Sequence, residues 1–459
     1  MSPGRAAAGP EAASPRDVLW SVVEEHLDEA EFAIERLAGA AGSATLTLTN
    51  LDDLEAIARA HVDGLVVSGA VAADLLLKPV LEDADASCHR IEAAVLAFSG
   101  LGRLGPIVGA LTHPNRQIRT GAARGCALAA DPTLDAVILR ELERASPGTR
   151  SAWLEVACER QLDPGPLVVS LQAGDPDELR AALMAGSHSD SRERERVEQA
   201  LGSADDRIRD AAMLAGLRYG SSAAWLICQA LALRADKPNP LALSLLAGLG
   251  DASHHEQLVS LSGSEPRRYY ATLRALGFTG NVRLIPWLIE QASSHDQRAA
   301  RLAGDAIALM SGAPVEPFLQ EREPSIAGDL PPAEEDAEAR AALPVLEDDD
   351  LESDLVPDSD EALPVPNPAS LRDWWQANSG RFSPGSRCLM GSNLSSAAFQ
   401  YALTSAPLRH RHLLSILLSI RTAGVVRIDT RAFPSVQRMQ LTGIPHGVDA
   451  PWARQFSSF

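Results

Sequence analysis

Asp205-Asp206-Arg207-Ile208-Arg209-Asp210-Ala211-Ala212-Met213-Leu214 is the stretch whose reading decides the fold. A turn residue opens it, polar and basic residues fill one helical turn, and apolar residues then recur at three- and four-residue spacing, which marks one buried helical stripe. The pattern returns at Pro114-Asn115-Arg116-Gln117-Ile118-Arg119-Thr120-Gly121-Ala122-Ala123 and at Pro266-Arg267-Arg268-Tyr269-Tyr270-Ala271-Thr272-Leu273-Arg274-Ala275-Leu276-Gly277. The opening markers are Asp85, Pro114, Pro147, Pro176, Asp206, Pro238, Pro266 and Gln297, spaced 28 to 33 residues apart. A unit of that length holds two ordinary helices and two turns. One helix pair cannot bury its stripe alone, so the units must stack. The spacing therefore predicts an all-α chain, an α-solenoid (α-α superhelix) over residues 85–312.

These units resemble the HEAT-repeat proteins, in the short bacterial form also found in lyases that attach bilins to phycobiliproteins. The resemblance rests on the Asp/Pro opening, an arginine such as Arg119, Arg180 or Arg209, and the pairs Ala122-Ala123, Ala181-Ala182 and Ala211-Ala212. The ankyrin and tetratricopeptide signatures are missing. The run His61-Val62-Asp63-Gly64-Leu65-Val66-Val67-Ser68-Gly69 is similar to a proteobacterial HEAT-repeat family of unassigned activity. So are Leu363-Pro364-Val365-Pro366, Trp374-Trp375, Phe382, Pro384-Gly385 and Gly391. Val62 stands where that family has Leu, and the acidic insert is a further departure. Members tend to lie near type VI secretion genes, so the resemblance implies an accessory role there; their activity is unassigned, so it carries over no catalytic residue.

Outward from the repeats, residues 1–13 read as disordered and 14–84 as an N-terminal helical cap of the stack. Ser14-Pro15-Arg16-Asp17 opens its first helix, and Thr49-Asn50-Leu51-Asp52 its second. Residues 313–362 read as an acidic disordered linker. Between Gln320 and Ala362 there are 16 acidic and 2 basic residues, so this stretch carries −14 of the chain's −20. Such a segment buries too little apolar surface to offset chain entropy. Residues 363–459 read as a small, mainly α C-terminal domain. In it, Asn367-Pro368 caps a helix, two more helices span about 395–404 and 407–421, Val425 to Asp429 is a short strand, and the tail beyond Arg431 is loose.

Composition narrows the function. Hydrophobic residues make up 46% and aromatics only 4%, so the core is aliphatic and suits close helix packing. An acidic chain lacks the cationic footprint that nucleic acid requires, which disfavours a HEAT-like nucleic-acid glycosylase. No apolar run of about 18 residues is present, which excludes a transmembrane helix. The N-terminus shows no apolar run of signal-peptide length. Cys88, Cys126, Cys158, Cys228 and Cys388 form no metal-ligand spacing, and scattered thiols fit a reducing cytoplasm.

Chemistry-bearing motifs are sparse. His254-His255-Glu256 is a single His-Glu group where HEAT-type di-iron hydroxylases use several, and it reads as a surface loop. His61 reads as a packing histidine. Cys88 and His89 diverge by about 100° on a helix, a poor geometry for nucleophile and base. Arg409-His410-Arg411-His412 reads as a solvated helix start. Trp374-Trp375 is the candidate partner-binding pair, since Trp is enriched at binding hot spots. The expectation is a cytoplasmic, non-enzymatic scaffold or adaptor that binds a protein partner, with no cofactor, no metal, no nucleic acid and no membrane insertion. The alternative is a lyase- or hydroxylase-like enzyme on the same framework.

Overall fold

A computed structural model describes residues 18–186, 188, 190–234, 239–263, 265–314, 360–383, 385–444 and 456. Among the described residues the fold is all-α apart from one hairpin of two-residue strands, β1 (Cys388–Leu389) and β2 (Ser392–Asn393). The helices that matter below are, in order, α1 (Trp20–Gly39), α2 (Asp52–Val67), α3 (Cys88–Gly100), α4 (Arg116–Leu128), α5 (Arg150–Glu159), α6 (Pro176–Ala185), α7 (Asp206–Arg218), α8 (Ser222–Leu233), α9 (Pro240–Leu249), α10 (Ala252–Leu261), α11 (Pro266–Leu276), α12 (Ile285–Ala292), α13 (Gln297–Ser311), α14 (Pro368–Asn378), α15 (Ser396–Ser405), α16 (Leu408–Arg421) and α17 (Pro434–Thr442).

Four of the eight turn markers open helices for a local reason. Pro176, Asp206, Pro266 and Gln297 are first helical residues. Before three of them an aspartate caps the free backbone N–H groups: Asp175 accepts from Asp177 and Glu178, Asp205 from Arg207, and Asp296 from Arg298 and Ala299. Each such cap stabilises its helix by about 1 kcal/mol. Proline fits the first position because its missing N–H has no intrahelical partner there. Pro238 lies outside the described residues, as do the helix start at Ser14 and residues 1–13.

The chain divides into two compact units, residues 1–250 with 395–459 and residues 251–394. In the first, α3 packs on α4, α4 on α5, α5 on α6, α6 on α7, α7 on α8 and α8 on α9. Small residues set the approach. A Cβ added at Gly121 would sit 2.9 Å from Ile91 Cβ, and one at Gly125 2.7 Å from Val95 Cβ. N-terminal to these, α1 and α2 pack on each other and on α3. Thr47 and Asn50 form a capping box just before α2.

The C-terminal stretch departs from expectation. Residues 363–459 do not form one small domain, because Ser395–Phe459 belongs to the first unit. Backbone N–H groups of Leu408 and Arg409 at the start of α16 donate to Leu46 O and Ser43 O at 2.8 and 3.1 Å. Gly248 lets α16 approach α9, where an added Cβ would lie 2.5 Å from Leu417 Cδ2. Within the tail beyond Arg431, Pro434–Thr442 forms α17, and Phe433, Leu441 and Ile444 are buried; residues 445–455 and 457–459 lie outside the described residues. Val425 to Asp429 does not form the expected strand. Side chains occupy its polar backbone groups: Gln161 donates to Arg427 O, Ser415 to Ile428 O, and Asp429 N donates to Gln440 Oε1.

In the second unit α10 packs on α11, α11 and α12 on α13, and α14 on α12. Gly280 (φ 62°) and Gly312 (φ 66°) are left-handed, and a Cβ at either would meet the hairpin backbone within 3 Å. The hairpin is tied down where Cys388 N donates to Gly280 O and Met390 N to Leu309 O. Of the expected acidic linker, residues 315–359 lie outside the described residues. Both flanks belong to the second unit, so the segment is an insertion within that unit rather than a connection between two domains. Asp360 at its end is buried and pairs with Arg274 at 2.7 Å and Arg298 at 2.9 Å.

Candidate functional site

The residues singled out from the sequence do not converge. Trp374 and Trp375 are half-buried in the second unit, with rings 6.5 Å apart, and Trp375 stacks on Phe382 at 5.5 Å. His254 is not on a surface loop. It completes a capping box with Asp251 at the start of α10, while His255 is buried and faces Asn281. Burial raises the Asp251 carboxyl, but hydrogen bonds from Ser253 and His254 outweigh it and hold the group at about 2. His61 Nδ1 lies 3.0 Å from His26 Nδ1. Cys88 donates to Glu92 Oε1 at 3.3 Å; burial and that carboxylate push the thiol up to about 12. Among the described residues no three His, Cys, Asp or Glu side chains are grouped to hold a metal ion.

The Arg409–His412 cluster is not a solvated end. Arg411 is 1% exposed; its Nε donates to Leu403 O and its Nη2 to Gln437 Oε1, both at 2.6 Å. His410 is buried as well. A guanidinium is tolerated inside when carbonyl oxygens meet its donors. Burial still lowers its pKa, to about 10.

The site that the geometry does assemble lies in the first unit, where the chain from α16 to α17 faces α3 through α7. Two cavities adjoin there. One, of about 300 Å³, has apolar walls from Ile34, Leu37, Leu51, Leu408 and Phe433. The other, of about 480 Å³, is lined by charged side chains from α4, α5, α6 and α7 and by the stretch Arg427–Arg431. Arg124, Glu159, His412, Asp429, Thr430 and Arg431 border both.

Electrostatics set this place apart. Glu92 is fully buried on α3 and takes Arg124 Nε at 3.1 Å on one oxygen, while its other oxygen has no partner. Burial pushes its carboxyl up to about 7 against the pull of Arg124. Glu159, at the end of α5, is pushed up to about 8 by burial and by the neighbouring charges of Asp429 and Glu155. Asp429 is raised by burial even though Arg431 N donates to it at 2.9 Å. His412 is lowered by burial and by Arg431. Carboxyls raised this far exchange protons near neutral pH, the range in which general acids and bases work. Across the larger cavity, Arg218 Nη1 donates to Met184 O, and Arg427 donates to Ala185 O and Gly186 O, at the C-terminus of α6 where cations are favoured.

Sequence reasoning missed this cluster because its members come from distant positions and no local spacing joins them. The repeated arginine offered a partial signal: Arg119 and Arg180 line the cavity, whereas Arg209 turns to Ser203 O and Asp206. No single helix among the described residues is long and apolar enough to cross a membrane. In comparisons with known proteins, no family model matches the chain and no curated protein sequence matches it significantly.

Proposed function

We propose that this protein is a non-enzymatic scaffold built on a HEAT-like α-solenoid, which binds a protein partner in the cytoplasm. The observation that carries the reading is that successive repeat helices turn polar side chains toward one place. Glu92 on α3, Arg124 on α4, Glu155 and Glu159 on α5, Arg180 on α6 and Arg218 on α7 all line the adjoining cavities. Stacked helix pairs typically present such a surface to extended partners. Trp374 and Trp375 are a second candidate contact on the other unit, being aromatic and half-exposed. The resemblance to a family found near type VI secretion genes makes an accessory role in that machinery the specific form of the proposal. Deleting the gene then impairs secretion of one effector or spike component while growth stays normal. Normal secretion removes the secretion role and leaves only the scaffold.

One observation favours a second reading, an enzyme on the same framework. Glu92 and Glu159, raised to about 7 and about 8, border the same cavity and titrate in the range that general acids and bases use. Metal analysis and a search for a bound chromophore in protein purified from its own cell separate the two readings. Stoichiometric metal or chromophore favours the enzyme.

A further inference from the structure

We propose that the larger cavity of the first unit is a binding site for a compact, multiply charged phosphoanion. This goes beyond the scaffold reading and does not depend on it. The chain carries −20 overall, yet this one cavity is lined by seven arginines. Three of them have acidic neighbours within salt-bridge range: Arg124 meets Glu92, Arg180 meets Glu155, and Arg116 lies 3.7 Å from Asp177. The other four, Arg119, Arg218, Arg427 and Arg431, have no carboxylate within ion-pairing distance among the described residues. Arg119 donates only to His113 O and Pro114 O, and Arg218 and Arg427 only to backbone carbonyls of residues 184–186. Arg218 Nε is buried with no partner at all.

Arg431 is exposed and the other three are half-buried; a guanidinium with a buried N–H that nothing accepts, as at Arg218, is costly unless an anion meets it. Backbone carbonyls satisfy single N–H groups but supply no negative charge. Four acids share the lining with these seven arginines, Glu155, Glu159, Asp177 and Asp429, so cations outnumber them, and burial pushes the Glu159 carboxyl up to about 8. Arginine presents a planar fork that matches phosphate oxygens in pairs. A volume of about 480 Å³ accommodates a small molecule rather than a side chain alone.

The test is isothermal titration of the full chain with inorganic pyrophosphate in low-chloride buffer. The expected result is saturable one-to-one binding. Arg431→Ala removes an exposed side chain with no hydrogen bond of its own, so the fold is kept. It weakens binding by about tenfold or more, the loss of one charge-assisted contact. Arg119→Ala provides the same readout from a different helix, and Arg267→Ala, exposed on the second unit, leaves binding unchanged. A phosphoserine decapeptide titrated in parallel identifies the source. Tighter binding of the peptide places the phosphate on a partner protein, and tighter binding of pyrophosphate places it on a free small molecule. Absence of saturable binding by either probe overturns the proposal. So does binding that neither cavity variant weakens, or that Arg267→Ala weakens equally.

Discussion

Ser435 N donates to Glu55 Oε2 at 2.8 Å, closing a contact across 380 residues of sequence. The same carboxylate takes Ser435 Oγ and Arg59 Nε, and Arg59 lies over the Phe433 ring at 4.8 Å. Three donors on one buried acid explain how the C-terminal stretch is held to α2. Glu55→Ala leaves these donors without their acceptor, and it is expected to destabilise the first unit by about 2–3 kcal/mol. Chemical denaturation followed by circular dichroism checks this. A loss under about 0.5 kcal/mol, typical of a surface site, contradicts it.

Gly125 sets the spacing of α3 and α4. Gly125→Val places new carbon atoms against Val95 Cβ, 2.7 Å from the added Cβ, and Glu92 Cα, 3.1 Å away. Overpacking of this kind costs about 1–3 kcal/mol. Gly148→Val is the control, since nothing lies within 4 Å of a Cβ there. Equal stability of the two variants argues against close packing of these helices.

The helices were legible because each start is a local pattern. Turn residue, cap, Arg and Ala-Ala pair lie within about a dozen residues, and the helices open where that chemistry says they must. The fate of residues 395–459 was not legible. α17 packs on α2 and on the turn before it, as well as on α15, and no spacing within the stretch records the contact with α2. The cavity was hidden for the same reason, since Glu159 and Asp429 meet only after folding. Arg411 was misread because a cation at a helix start is disfavoured by the dipole. The carbonyl of Leu403 and the amide of Gln437 outweigh that effect.

Stability should depend on pH through Glu159 and Glu92. Both carboxyls are raised in the folded chain, to about 8 and about 7, from 4.5. The folded state therefore binds more protons than the unfolded state between those values, and stability falls as pH rises from about 4.5 to 8. Glu159→Gln removes the cost of ionising a buried acid. At pH 8.5 it raises the melting temperature by about 2 °C or more, with a smaller effect at pH 5. Scanning calorimetry at both values checks the sign. A variant less stable than the parent at pH 8.5 contradicts it.

The division of the chain makes a mechanical prediction. A site-specific protease sequence placed at residue 340 lies in the insertion between α13 and α14. Pro366 packs on Gly304, and Asp360 pairs with Arg274 and Arg298, so both sides of the cut share one unit. The cut chain is expected to elute as one species under native conditions and to separate only in denaturant. Separation without denaturant contradicts a single second unit.

The scaffold claim is tested most directly by quantitative affinity capture from the native cell, comparing the tagged parent with a variant carrying Arg124→Ala and Arg431→Ala. The account predicts one protein, or one small set, recovered in near-stoichiometric amount with the parent, lost with the double variant and retained with Arg267→Ala. Equal recovery with all three, or recovery of chaperones alone, contradicts it.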